Sequence, residues 1–223
     1  MKTISKAVAV ASLISAGFVG QAQAEVEVSA SAAVSNMYLW RGTDLGAANG
    51  VPAISGDLSA SMGGLYAGVW TSSGDTANGQ EYDLYVGYGL EAGEVAVDFS
   101  YWTYIYPGVA GDDPADLHEV VVSVSAMGFS AAAYYNVDQD EDEGTDYIYN
   151  TLGYEMGKFS ATYGMTSYSD TEDKDYAHFD LGYAYNDNVA FTVSTVVSSD
   201  LDEDEGGPDR SPNVVVTYSL PIQ

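Results

Sequence analysis

Few residues in this chain are equipped for chemistry near neutral pH. Cysteine is absent, and the histidines number two, His118 and His178. Imidazole is the side chain that titrates in this range, so these two are the candidate general bases. His178 with Asp180, or His118 with Ser123, could form parts of a nucleophilic set. Neither pair belongs to a catalytic motif, and a lone histidine on a strand is usually structural, so the residues argue against an enzyme. What the chain has in quantity is carboxylate: 33 Asp and Glu against 6 Lys and Arg, a formal net charge of −27. Such a chain repels phosphate backbones, which excludes a nucleic-acid partner. Without cysteine there is neither a disulfide framework nor a thiolate metal site.

The acidic side chains fall in two kinds of place. Asp83, Asp98 and Asp180 alternate with apolar residues and share their parity with small ones. On a strand, that alternation puts them on the face opposite the apolar one. If this face lines water, unpaired carboxylates concentrate cations and disfavour anions. Few basic residues are available to pair them, so cation preference outweighs the bland reading of merely solvated carboxylates. Arg41 is the one basic residue between the N-terminal leader and Lys158. It could pair with Asp83 or Asp98 and narrow a pore, or pin a strand end through loop carbonyls; the residues leave both open.

The second kind of place is the acidic run. Asp138, Asp140 and Asp142, and again Asp200, Asp202 and Asp204, repeat one spacing. Clustered hard oxygens suit Ca2+ or Mg2+. The following glycine comes too late for an EF-hand loop, however, and the terminal bidentate glutamate is missing. Loosely held divalent cations, with no other cofactor, are the expectation. Trp102 and Tyr104 lie on the inner parity near a strand end, where they could form a stacking track for sugars or aromatic solutes. Aromatics so placed more often form an interfacial girdle, which is the preferred reading.

The elements that must position these residues are strands. From Glu81 to Tyr106 two alternating runs face each other across the connector Glu91-Ala92-Gly93-Glu94. Tyr82, Leu84, Val86, Tyr88 and Leu90 form one apolar face; Val95, Val97, Phe99 and Tyr101 continue it on the return. Each run is about ten residues, the length a tilted strand needs to cross a bilayer. Before it, strands are expected over Ala53–Met62 and Leu65–Ser72, then a polar loop over Ser73–Gln80. After it, tight turns at Met127-Gly128, Gly157-Lys158 and Asn186-Asp187-Asn188 alternate with longer acidic connections. The first 24 residues read as an export leader: Lys2 and Lys6, an apolar stretch from Ala7 to Gly20, and the small-residue site Ala22-Gln23-Ala24.

Short turns at one end and long acidic loops at the other are the topology of a closed antiparallel transmembrane β-barrel. Twelve strands are expected over residues 25–223, with turns in the periplasm and loops outside the cell. A soluble two-sheet sandwich would also alternate, but its connections would not sort into two length classes.

A family resemblance adds to this. Ser35-Asn36-Met37-Tyr38-Leu39-Trp40-Arg41-Gly42 resembles the S-x-x-Y-x-x-R-G run of the TorF-like outer-membrane porins. Pro52-Ala53-Ile54-Ser55-Gly56 is similar to that family's P-A-x-x-G. Gly64-Leu65-Tyr66-Ala67-Gly68-Val69-Trp70-Thr71-Ser72 is similar to its G-x-Y-A-G-x-W-x-S, and Glu81–Tyr88 and Tyr104–Gly108 complete the set. The resemblance covers roughly residues 35 to 120 and implies a pore without naming a solute. The terminal Ser219-Leu220-Pro221-Ile222-Gln223 departs from the final aromatic common in such barrels.

The expectation is therefore a Gram-negative outer-membrane porin for passive diffusion of small hydrophilic solutes, surrounded by lipid and lipopolysaccharide, and able to form a homo-oligomer. The alternative is a non-conducting surface protein whose acidic loops serve adhesion or membrane integrity.

Overall fold

The structure, a computed structural model, describes residues 25–46, 51–109, 117–137, 147–169 and 174–222. The expected leader lies outside them, as do Asp138, Asp140 and Asp142. The strands are β1 (Glu27–Ser35), β2 (Leu39–Trp40), β3 (Thr43–Asp44), β4 (Ala53–Met62), β5 (Leu65–Asp75), β6 (Gly79–Ala92) and β7 (Val95–Ile105). They continue with β8 (Leu117–Ala126), β9 (Phe129–Asn136), β10 (Tyr147–Met156), β11 (Phe159–Tyr168), β12 (Tyr176–Ala184), β13 (Val189–Ser199) and β14 (Asn213–Ile222).

All but β2 and β3 join one closed antiparallel barrel of twelve strands. Each strand pairs with its chain neighbours, and β1 closes the ring against β14. Closure leaves no free edge, so every wall strand has a hydrogen-bonding partner on both sides. The period-two alternation then decides which side chains meet which solvent. Ile54, Leu84, Val86, Phe99, Val122, Leu152, Leu181, Val193 and Leu220 all face outward and are exposed. An exterior this apolar over its whole circumference has hydrocarbon, not water, as its matching solvent. The interior set is mainly Ser, Thr, Gly, Ala, Tyr and carboxylates, with Trp102 and a few valines (Val121, Val196 and Val215) among them.

Tight turns fold by glycine at left-handed φ. Gly63 and Gly64 are at +58° and +93°, and Met127 and Gly128 at +53° and +85°. Two consecutive positive φ values twist a two-residue connection to match its strands. One expected loop is corrected: Ser73–Gln80 is mostly strand. β5 and β6 run on to Asp75 and Gly79, joined by three residues, of which Ala77 and Asn78 donate their amides to Asp75 at 2.8 and 2.9 Å. The Asx-type cap replaces the length that the polar composition implied.

The interior wall follows one packing rule. Tyr66 of β5 lies across Gly87 of β6 and donates to Asp98 of β7 at 2.8 Å; Tyr85 of β6 lies across Gly68 of β5 and donates to Asp57 of β4 at 2.7 Å. The two pairs are cross-strand neighbours, Tyr66 opposite Gly87 and Gly68 opposite Tyr85. Any Cβ on either glycine would overlap the ring. The G-x-Y-A-G and E-Y-D-L-Y-V-G runs are thus two halves of one reciprocal fit.

Candidate functional site

The chain between β1 and β4 turns into the barrel. After Ser35, the strands β2 and β3 form a miniature hairpin, with Leu39 opposite Asp44 and Trp40 opposite Thr43. Its two-residue turn is Arg41-Gly42, at φ +45° and +89°. Glycine tolerates this region; arginine pays strain of about 1 kcal/mol or more, which must be offset by what its side chain finds. Gly42 is obligatory for a second reason, because a Cβ there would strike the Cβ of His178. The hairpin base is tied by the Leu45 amide to the Tyr38 carbonyl at 2.8 Å and by the Thr76 amide to the Leu45 carbonyl at 3.1 Å. The protruding β5–β6 turn therefore clasps it from above.

At the tip, the Arg41 guanidinium is 7% exposed and Glu119 is fully buried; they meet at 2.6 Å. Glu119 also accepts the hydroxyls of Tyr104 and Tyr147, both at 2.6 Å. Four rings surround the guanidinium: Tyr149 at 4.3 Å, Trp40 at 4.5 Å, and Tyr134 and Tyr147 each at 5.2 Å. This is a charge paired, hydrogen-bonded and stacked at once, the condition under which burial of an ion pair is sustained. A second lock sits beside it: Glu81, also fully buried, accepts Tyr38 at 2.6 Å and Tyr106 at 2.8 Å.

Several sequence expectations are thereby placed. Arg41 does point into the barrel, but its partner is Glu119 and neither Asp83 nor Asp98. Asp83 faces inward beside Glu81 on β6, and its buried Oδ1 has no hydrogen-bond partner. Asp98 faces inward and is engaged by Tyr66. Asp180 faces inward and receives His178 Nδ1 at 2.9 Å, while His178 Nε2 pairs with Tyr149 at 2.8 Å.

Trp102 and Tyr104 are not girdle residues. They are buried in the lumen, where Trp102 stacks on Tyr85 with centroids 4.5 Å apart and Tyr104 follows at 6.5 Å. Their faces cover one another, so no open track for a solute remains. The reason is register: Tyr85 stands directly opposite Trp102.

Of the two imagined catalytic pairs, one meets and one separates. His178 meets Asp180, but at 1% exposure it is sealed under the hairpin. His118 and Ser123 lie on opposite faces of β8; His118 turns outward to Tyr101 and Thr103 at 2.9 and 3.0 Å. Among the described residues no three carboxylate or imidazole groups converge on a metal position, so Asp200, Asp202 and Asp204 do not form a built site. Their loop carries a single 3-10 turn over Glu203–Glu205. Nearby, the Ser211 amide donates to Asp209 at 2.7 Å, and that bond holds the Asp209 carboxyl below the usual carboxylate range.

Glu81 and Glu119 were missed by residue reading. A signal existed: each lies on the inner parity of a strand whose outer parity is continuous Tyr, Leu or Val. What parity cannot supply is which inner carboxylate an incoming arginine will reach.

Comparison with solved structures returns outer membrane phospholipase A from Escherichia coli, at 10% identity and a TM-score of 0.45, covering 87% of this chain and 90% of that one. A chain described under "Asymmetric conductivity of engineered proteins" matches at 8% identity and a TM-score of 0.42, covering 89% of this chain and 100% of that one. Among curated proteins nothing matches at a significant level. Residues 20–210 match a family described as bacterial protein of unknown function, Gcw_chp, and the chain belongs to that family.

Proposed function

We propose that this protein is a narrow outer-membrane channel passing small hydrophilic solutes, cations in preference, by passive diffusion. One observation carries the reading: polarity inverts across a closed wall, with carboxylates and most serine and threonine hydroxyls inside and a predominantly apolar and aromatic skin outside. A water-lined interior within a lipid-compatible exterior is how outer-membrane barrels conduct. Export by the leader would place the tight turns in the periplasm and the acidic loops among lipopolysaccharide, where divalent cations gather as loose counterions. The TorF-like resemblance of residues 35 to 120 agrees with this reading. A wall that closes on itself needs no second copy, though a homo-oligomer would be compatible with it.

Arg41 is neutralised by Glu119. That leaves Asp57, Asp98 and Asp180 on the inner wall without a lysine or arginine partner among the described residues, so the interior potential favours cations. The inturned hairpin is the constriction. No catalytic step or cofactor enters.

One observation favours a second reading. The hairpin fills the loop end of the lumen, as expected of a non-conducting barrel that works through its surface loops. Planar-bilayer recording in KCl separates the two. The channel reading expects small discrete steps and a cation-side reversal potential in a salt gradient, reduced in Asp98→Asn. Silence from the wild type and from a variant lacking residues 37–45, at every voltage, overturns it. An anion-side reversal overturns the selectivity.

A further inference from the structure

The lock around Arg41 is more specific than a plug requires. Apolar packing would hold a hairpin in place; here the wall presents a carboxylate and three tyrosine rings arranged around one guanidinium. The wall's share comes wholly from paired strands: Glu119 on β8, Tyr134 on β9, and Tyr147 and Tyr149 on β10. Their positions are held by contacts that do not involve Arg41, Tyr134 by its ring lying 5.3 Å from that of Tyr149 and the others by hydrogen bonds. Tyr104 and Tyr147 donate to Glu119, and Tyr149 is bonded to His178 across Gly164, which has no side chain to intervene. Trp40 alone among the four rings travels with the hairpin.

The hairpin is anchored at its base, by Tyr38 on Glu81 and by the Thr76 clasp on Leu45, and is held less firmly at its tip. Arg41 sits at an unfavourable φ, and beyond the guanidinium the tip rests on the Trp40–Tyr104 edge contact at 5.7 Å and on Asn213 donating to the Gly42 carbonyl at 3.4 Å. Were the tip to withdraw, Glu119 would keep its two tyrosine donors but lose the cation that balances its charge, an unfavourable state. The vacated position then selects a replacement of the same charge and shape. A guanidinium is planar, weakly hydrated, stacks on aromatic faces and forks onto a carboxylate; potassium and ammonium lack the plane.

We propose that the pocket of Glu119, Tyr134, Tyr147 and Tyr149 is a recognition site for guanidinium-bearing solutes. Arg41 occupies it as a built-in competitor, and such a solute displaces the hairpin and opens its own path. The site stands on the geometry alone; the opening rests on the channel reading. A ligand tethered by a short segment acts at an effective concentration on the order of millimolar, so free guanidinium competes in the wild type only in that range or above.

The probe is guanidinium chloride in that range, with ammonium chloride as control at ionic strength matched by KCl. The readouts are the temperature at which the detergent-solubilised barrel loses its heat-modified gel mobility, and KCl current in bilayers. In Arg41→Ala, guanidinium raises that temperature and ammonium does not, at a concentration at least tenfold below that needed in the wild type. Adding Glu119→Gln removes the response. Should Arg41→Ala fail to fold, Arg41→Lys keeps the charge without the plane, and guanidinium displaces it more readily than it displaces the native arginine. In the wild type, guanidinium raises the current. Equal responses to guanidinium and ammonium, or a response that survives Glu119→Gln, overturn the site. Guanidinium-specific stabilisation with no current in any variant upholds the site and overturns both the opening and the channel reading.

Discussion

The two ends of the lumen are walled by the same strands yet hold opposite interiors. At the loop end, Tyr38, Arg41, Glu81, Tyr104, Glu119 and His178 are all buried, each bonded or paired to another wall or hairpin residue. At the turn end, the inner positions are mostly Ser, Ala, Gly and Thr, with the carboxylates Glu91, Asp98 and Glu155. A cavity of about 380 Å³ opens there beside Asp98, Ser123, Ser125 and Ser130. The difference shows where this barrel places its specificity. Small side chains leave space, and space admits water; rings and carboxylates in mutual contact exclude it. Between the two lies the band of tyrosines crossing glycines, which stiffens the wall where the filled half gives way to the open one.

Breaking the loop-end lock is expected to have the largest effect. Glu119→Ala leaves Arg41 buried without its counter-charge, and the loss is about 3–5 kcal/mol. Urea unfolding in detergent, followed by loss of heat-modified mobility, measures it; a change no larger than that of a surface substitution would show that the lock is ornamental. In the tyrosine band, Gly87→Ala puts a methyl where the Tyr66 ring lies. Overpacking there costs about 1–3 kcal/mol in the same assay.

Tyr66→Phe keeps the ring and removes its bond to Asp98, so the stability cost falls to about 1 kcal/mol. On the proposed channel reading, the freed carboxylate also moves the reversal potential toward the cation side; an unchanged potential would mean Asp98 does not face the conducting path. At the turn end, Ser125 is exposed on the lumen wall, and Ser125→Ala shifts unfolding by less than about 0.5 kcal/mol. A larger loss would erase the contrast between the two ends.

How far all this could be read from residues differs by element. The hairpin of β6 and β7 is legible because Tyr82 to Leu90 and Val95 to Tyr101 repeat every second position. The face of Asp83, Asp98 and Asp180 follows from the same count. Arg41 was visible as an isolated cation, since no other lysine or arginine stands between the leader and Lys158. Its partner was not visible, because Glu119 is far along the chain and comes near only when the ring closes and the β1–β4 connection turns inward. Trp102 and Tyr104 were misassigned for a related reason: strand-end aromatics on the inner parity look alike whether they border a membrane or stack in a lumen. Only the register of Tyr85 against Trp102 separates those cases.

The order of residues by itself determined the wall: strand period, turn positions and the side of each side chain are local properties set by alternation, glycine and sterics. Tertiary structure alone decided what fills the wall. The Arg41–Glu119 contact joins groups that share no local pattern, and its strength comes from desolvation, which exists only after twelve strands have enclosed the pair.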